Sequence, residues 1–124
     1  MHHPDEVRVL VVDDRRDEAE SLAALLRLGG YVVRTVTRAV DALEVMASFQ
    51  PLCLLLDIDM PDMDGLELSR RLRQSQVGNE LVIIAVSGWD AGDFLQPSFE
   101  CVDHFLPKPV DPARLARLLP PLTD

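Results

Sequence analysis

Five polar side chains stand where apolar runs end. Asp13 and Asp14 close the run Val7 to Val12, which only Arg8 interrupts. Asp57 closes Leu52 to Leu56, Ser87 closes Leu81 to Val86, and Lys108 follows His104 to Leu106 and Pro107. A charge at the end of a buried strand has to be accounted for. Three carboxylates converging in one crevice cannot all stay ionised without compensation. A hard divalent cation with oxygen ligands supplies it, and a few carboxylates plus water and phosphate is the habit of Mg²⁺. Lys108 adds a positive point charge on a flexible stem, suited to a phosphoryl oxygen, and Ser87 adds a neutral hydroxyl. A carboxylate can serve as nucleophile in phosphoryl transfer, giving an acyl phosphate. Catalysis at such a site is mostly positioning and charge neutralisation. The set therefore reads as a site for a phosphoryl group on Asp57.

These groups meet only if the chain builds parallel strands that end on one edge. Helix and strand patterns alternate throughout. After the first strand, Ala19, Leu22, Ala23, Leu25 and Leu26 recur at helical spacing from Arg16 to Leu28, and Gly29-Gly30 supplies the stop. Tyr31 to Val36 is a second strand. Thr37 is placed to cap a second helix, with Val40, Leu43, Met46 and Ala47 as its apolar face and Pro51 beyond its end. Leu52 to Leu56 is the continuous apolar run of a strand covered on both faces. A third helix over Leu66 to Arg73 carries Leu68 and Leu72 on one side. Strands at Leu81 to Val86 and His104 to Leu106 follow. Asp111-Pro112 then opens a last helix that runs through Leu119, with Pro120-Pro121 as its stop. Between Asp90 and Val102 the alternation asks for a helix that Gly92 and Pro97 oppose, so a short or distorted one is expected.

Five such units in 124 residues imply a single α/β domain, with an open parallel sheet and helices on both faces. The ligand site of such a sheet lies outside the C-terminal strand ends, at the switch point in strand order. The expected domain is the whole chain, 1–124, with its core at about 7–119 and no output module. Lys and Arg number 12 against 21 Asp and Glu, a formal charge of −9. That balance repels phosphate backbones and anionic headgroups, so neither nucleic acid nor membrane insertion is expected. Cys53 and Cys101 are too few for a disulfide framework and lack zinc spacing. With no signal-peptide pattern and no membrane-length apolar stretch, the expected location is cytoplasmic.

Taken in order, Val11-Val12-Asp13-Asp14, Leu55-Leu56-Asp57 with Met60-Pro61 and Met63-Asp64-Gly65, Ser87-Gly88, and Lys108-Pro109 make the chain resemble a response-regulator receiver domain over roughly residues 7 to 119. Such domains are the phosphoacceptor half of two-component signalling. The resemblance implies a flavodoxin-like doubly wound sheet of order 2-1-3-4-5. It also implies transfer to Asp57 from a phosphohistidine on a sensor histidine kinase or histidine phosphotransfer protein, with output through contact with a downstream protein. Asp14 and Asp57 would ligate Mg²⁺ directly, Asp13 through water, and Asp59 through its main-chain carbonyl. Ser87 matches the switch hydroxyl, Lys108 its phosphoryl-pairing lysine, and Phe105 the aromatic whose inward rotation accompanies activation. Pro109 matches a proline preceded by a cis peptide bond, which X-Pro sequences adopt at little cost.

Several of these residues also have plainer readings. Asp13-Asp14 alone could be a solvated turn, Ser87 a helix cap and Phe105 a core residue; Asp62 and Asp64 read as turn acids bonding their own backbone. Asp59 and Trp89 are departures that could tune the site. Asp59 places an extra carboxylate on the loop over it, and Trp89, two residues past Ser87, either anchors the following segment or acts as a lid. Cys101 stands near a position usually taken by a small residue. Two other functions compete. One is a receiver-like binding module that is never phosphorylated. The other is a haloacid dehalogenase-like phosphatase, which Asp57-x-Asp59 resembles. That family, however, places its nucleophile on the first strand and uses later acids that are missing at strand ends here.

Overall fold

A computed structural model describes residues 6–58, 65–75, 81–88 and 102–122. In chain order they form β1 (Arg8–Val12), α1 (Arg16–Leu28), β2 (Val32–Val36), α2 (Ala39–Phe49), β3 (Cys53–Asp57), α3 (Gly65–Ser75), β4 (Val82–Ser87), β5 (His104–Pro107) and α4 (Pro112–Leu118). The strands make one parallel sheet in the order β2-β1-β3-β4-β5, as expected. The segment in which a distorted helix was expected, with Pro97 and Cys101, lies outside the described residues. So does the turn holding Asp62 and Asp64.

Alternation along the central strands divides the core into two layers, because successive strand side chains point to opposite faces. Leu10, Val12, Leu54, Leu56, Ile83 and Ala85 pack with Ala42, Met46 and Phe49 of α2 and Leu68 and Leu72 of α3. Val9, Val11, Cys53, Leu55, Ile84 and Val86 pack on the other side with Ala19, Ala23 and Leu26 of α1 and Leu115 of α4. Both faces are covered, and for this reason β3 carries no polar residue before Asp57.

Three local expectations are corrected. Helix α2 starts after Arg38, not Thr37, and no side chain caps it. Its buried face is Ala39, Ala42, Met46 and Phe49, whereas Val40 and Ala47 face solvent. The phase is set by Phe49 and by the two small alanines, which let the helix approach the sheet closely, while Glu44 and Ser48 stay on the wet side. Gln50 then takes a left-handed conformation (φ 52°) to end the helix. In α1, Leu25 is 41% exposed and is not part of the core. Helix α4 opens as read, with the Asp111 carboxylate accepting from the Ala113 N–H at 3.0 Å.

Candidate functional site

Sheet register brings the polar strand ends together. Val12 pairs with Leu56, Asp57 with Val86, and Ser87 with Pro107, so Asp13, Asp57, Ser87 and Lys108 lie along one edge. Main-chain bonds hold that edge in place. Asp13 N–H donates to the Val36 carbonyl (3.1 Å), Ile58 N–H to Val86 (3.2 Å), and Lys108 N–H to Ser87 (2.9 Å). β1 ends in a turn in which Asp13 Oδ1 accepts from the Arg15 N–H at 2.9 Å, which fixes the carboxylate before α1 begins.

One oxygen each from Asp13, Asp14 and Asp57 falls within a 4.8 Å cluster. Asp13 and Asp57 are buried, at 7% and 3% exposure, and Asp14 is exposed. An all-carboxylate donor set open on one side suits a hard divalent cation and leaves room for water and a phosphoryl oxygen. Lys108 reaches over this cluster. Its Nζ stands 3.2 Å from Asp57 Oδ2 and 3.3 Å from Glu18 Oε2.

The electrostatics follow from burial and proximity. Burial, joined by the Asp57 charge, pushes the Asp13 carboxyl from its ordinary 3.8 up to about 6, against the opposing pull of the Arg15 N–H and Lys108. Burial alone would lower Lys108, but the Asp57, Asp13 and Glu18 carboxylates together outweigh it and hold the ammonium above its usual value. The site thus holds more negative charge than Lys108 balances, which is the condition under which a cation binds.

Ser87 is fully buried at the end of β4, and Phe105 is half-buried on β5, packed against the layer that α2 and α3 cover. The Lys108-Pro109 peptide is cis. Beside the acids a cleft of about 390 Å³ runs between α1 and the segment after β5, walled by Leu22, Leu25, Pro109 and Val110. Asp59 and Trp89 lie outside the described residues.

A family model for the response regulator receiver domain matches residues 9–119. The chain belongs to the response regulator receiver domain family. The response regulator MprA of Mycobacterium ulcerans (strain Agy99) is 41% identical over 104 residues, covering 83% of this chain and 44% of that protein. The chain thus spans about half the length of the curated relatives it matches. Among solved structures, a CheY-like response regulator receiver domain from Methylobacillus flagellatus superposes with a TM-score of 0.82 at 30% identity, covering 90% of this chain and 94% of that one. A response regulator signal receiver domain from Bermanella marisrubri is 34% identical with a TM-score of 0.78, covering 91% and 98%. As a receiver domain, this chain is a signalling module of two-component systems, and its fold is the CheY-like one. No helix among the described residues is long and apolar enough to cross a membrane.

The receiver site contains one contact that sequence reasoning missed, the Glu18 carboxylate on Lys108. Its signal was faint: Glu18 is one of three acids near the start of α1, with Asp17 and Glu20. A first turn that follows directly from a strand end overhangs that end, so a side chain there can reach the site.

Proposed function

We propose that this receiver domain is a phosphoacceptor switch in which Asp57 takes a phosphoryl group from a phosphohistidine of a sensor histidine kinase or histidine phosphotransfer protein. In the transfer the donor's P–N bond breaks as a P–O bond to an Asp57 carboxylate oxygen forms, and the imidazole leaves with the electron pair. One observation carries the reading. Asp57 is buried at a strand end, with Lys108 Nζ at 3.2 Å and two further carboxylates beside it.

Each remaining residue has a part in this scheme. Asp14 and Asp57 directly, Asp13 through water, and the Asp59 carbonyl that the family pattern implies would hold Mg²⁺, which would supply neutralisation of charge on the phosphoryl oxygens. Lys108 pairs with a phosphoryl oxygen. The Ser87 hydroxyl turns toward the group, and Phe105 moves inward with it. Asp59, through its extra carboxylate, and Trp89, as a lid, tune the lifetime of the acyl phosphate. Output passes through contact with a downstream protein in the cytoplasm.

Phosphoramidate, a small P–N donor, provides the test. With Mg²⁺ present, the protein should gain one phosphoryl group that hydroxylamine removes, as it does from an acyl phosphate. No gain in mass would favour a receiver fold kept as a binding module. Continuous turnover of a small phosphate ester would point to a phosphatase.

A further inference from the structure

Among the described residues the Lys108 ammonium has two carboxylate partners, on different elements. Asp57 Oδ2 on β3 is 3.2 Å away, and Glu18 Oε2 on α1, 90 residues distant in sequence, is 3.3 Å away. We propose that Glu18 is a positioning residue that competes for the Lys108 ammonium, so that the first turn of α1 is tied to whether Asp57 carries a phosphoryl group. This rests on Asp57 being the acceptor.

Three observations support the competition. The ammonium is a compact charge shared between Asp57 and Glu18, and a phosphoryl group on Asp57 brings more negative charge on the β3 side than the single carboxylate did, which draws the ammonium away from Glu18. Glu18 is also not stranded if Lys108 turns away. Its other oxygen lies 3.5 Å from Arg15 Nη1, one turn earlier in the chain, and both side chains are exposed enough to adjust. Finally, although burial works the other way, the Lys108 ammonium, joined by Arg15 and by a hydrogen bond with Asp13, holds the Glu18 carboxyl below its ordinary value, so the contact is a charged one. Glu18 therefore gives up Lys108 and keeps Arg15 when the ammonium moves to the phosphoryl oxygen. The rim of the cleft beside α1 then presents a different charge arrangement in the two states.

The experiment measures the affinity of beryllium trifluoride, a phosphoryl mimic that forms on carboxylates, in the presence of Mg²⁺. The full chain is compared with Glu18→Gln, Glu18→Ala and Asp17→Asn. Asp17 lines the same cleft and carries the same charge, but makes no ion pair with Lys108 among the described residues. An exposed ion pair is worth up to about a fivefold change in an equilibrium constant. Both Glu18 variants should therefore bind the mimic about two- to fivefold tighter than the unsubstituted chain, with Asp17→Asn changing it by less than half as much. Without the mimic, the unfolding equilibrium constant of both Glu18 variants should rise by about the same two- to fivefold factor, because the pair that is lost stabilises that state alone. Unchanged or weaker binding by the Glu18 variants overturns the proposal, as does an equal gain from Asp17→Asn, which would mean a general charge effect. If the unsubstituted chain forms no adduct at all, the acceptor reading itself falls and takes this proposal with it.

Discussion

Asp13→Asn should stabilise the metal-free protein. Asp13 is 7% exposed, and burial together with the neighbouring Asp57 charge raises its carboxyl from 3.8 to about 6. At about 1.4 kcal/mol per pH unit, that difference amounts to roughly 3 kcal/mol. The folded state binds this proton more tightly than the unfolded state does. Stability therefore falls as pH rises from near 3.8 to about 6, and stays at the lower level above that. Asparagine has the same shape and keeps an oxygen to accept from the Arg15 N–H, so the substitution removes the charge and little else. Urea titrations with chelator present should show the variant more stable by about 2–3 kcal/mol at pH 7.5, by less at pH 5, and by nothing near pH 3.5. Adding Mg²⁺ should reverse the order at pH 7.5, because a ligand that binds only the folded state stabilises it by mass action and the variant has lost a site carboxylate. A gain independent of pH, or no gain in chelator, would refute the account of Asp13 as a buried charge awaiting a cation.

Other perturbations test the frame around the site. Burial, with a contribution from Asp103, pushes the Cys53 thiol up to about 12. Iodoacetamide should therefore leave Cys53 unmodified in the native protein and label it only after unfolding, as peptide mapping will show. Asp103 Oδ2 accepts from the Ile83 N–H and from Arg73 Nη2, each at 2.8 Å, and so ties α3 and β4 to the start of β5. Asp103→Ala should cost about 1–3 kcal/mol in urea unfolding by leaving the Ile83 donor without this acceptor. Gln50 holds a left-handed φ of 52° at the end of α2. Gln50→Gly should raise stability by up to about 1 kcal/mol, with no change in Mg²⁺ binding.

The acids were legible before the fold because a parallel strand buried on both faces tolerates no charge until it ends. Val9 to Val12 and Cys53 to Leu56 are all at most 1% exposed, and the next residue of each run is a carboxylate. Asp111-Pro112 announced α4 for a local reason as well, since the cap and the helix start are adjacent in sequence. The phase of α2 was not legible, because apolar residues surround most of that helix and the sheet decides which of them it accepts. Nor was the Glu18 to Lys108 contact, which depends on how α1 leaves β1 and on where the chain turns after β5. Arg8 is similar: it interrupts an apolar strand, yet its guanidinium donates to the Phe49 and Gln50 carbonyls at the end of α2. Long-range partners of charged side chains are set by topology, and composition and periodicity do not encode them.

The central claim is that Asp57 is a metal-dependent phosphoryl acceptor. The direct measurement is intact mass after incubation with acetyl phosphate and Mg²⁺, run beside Asp57→Asn and beside a sample with chelator. One added phosphoryl group on the unsubstituted chain, absent from both controls, is the predicted result. An adduct that persists in Asp57→Asn, or that forms equally well in chelator, would contradict the account.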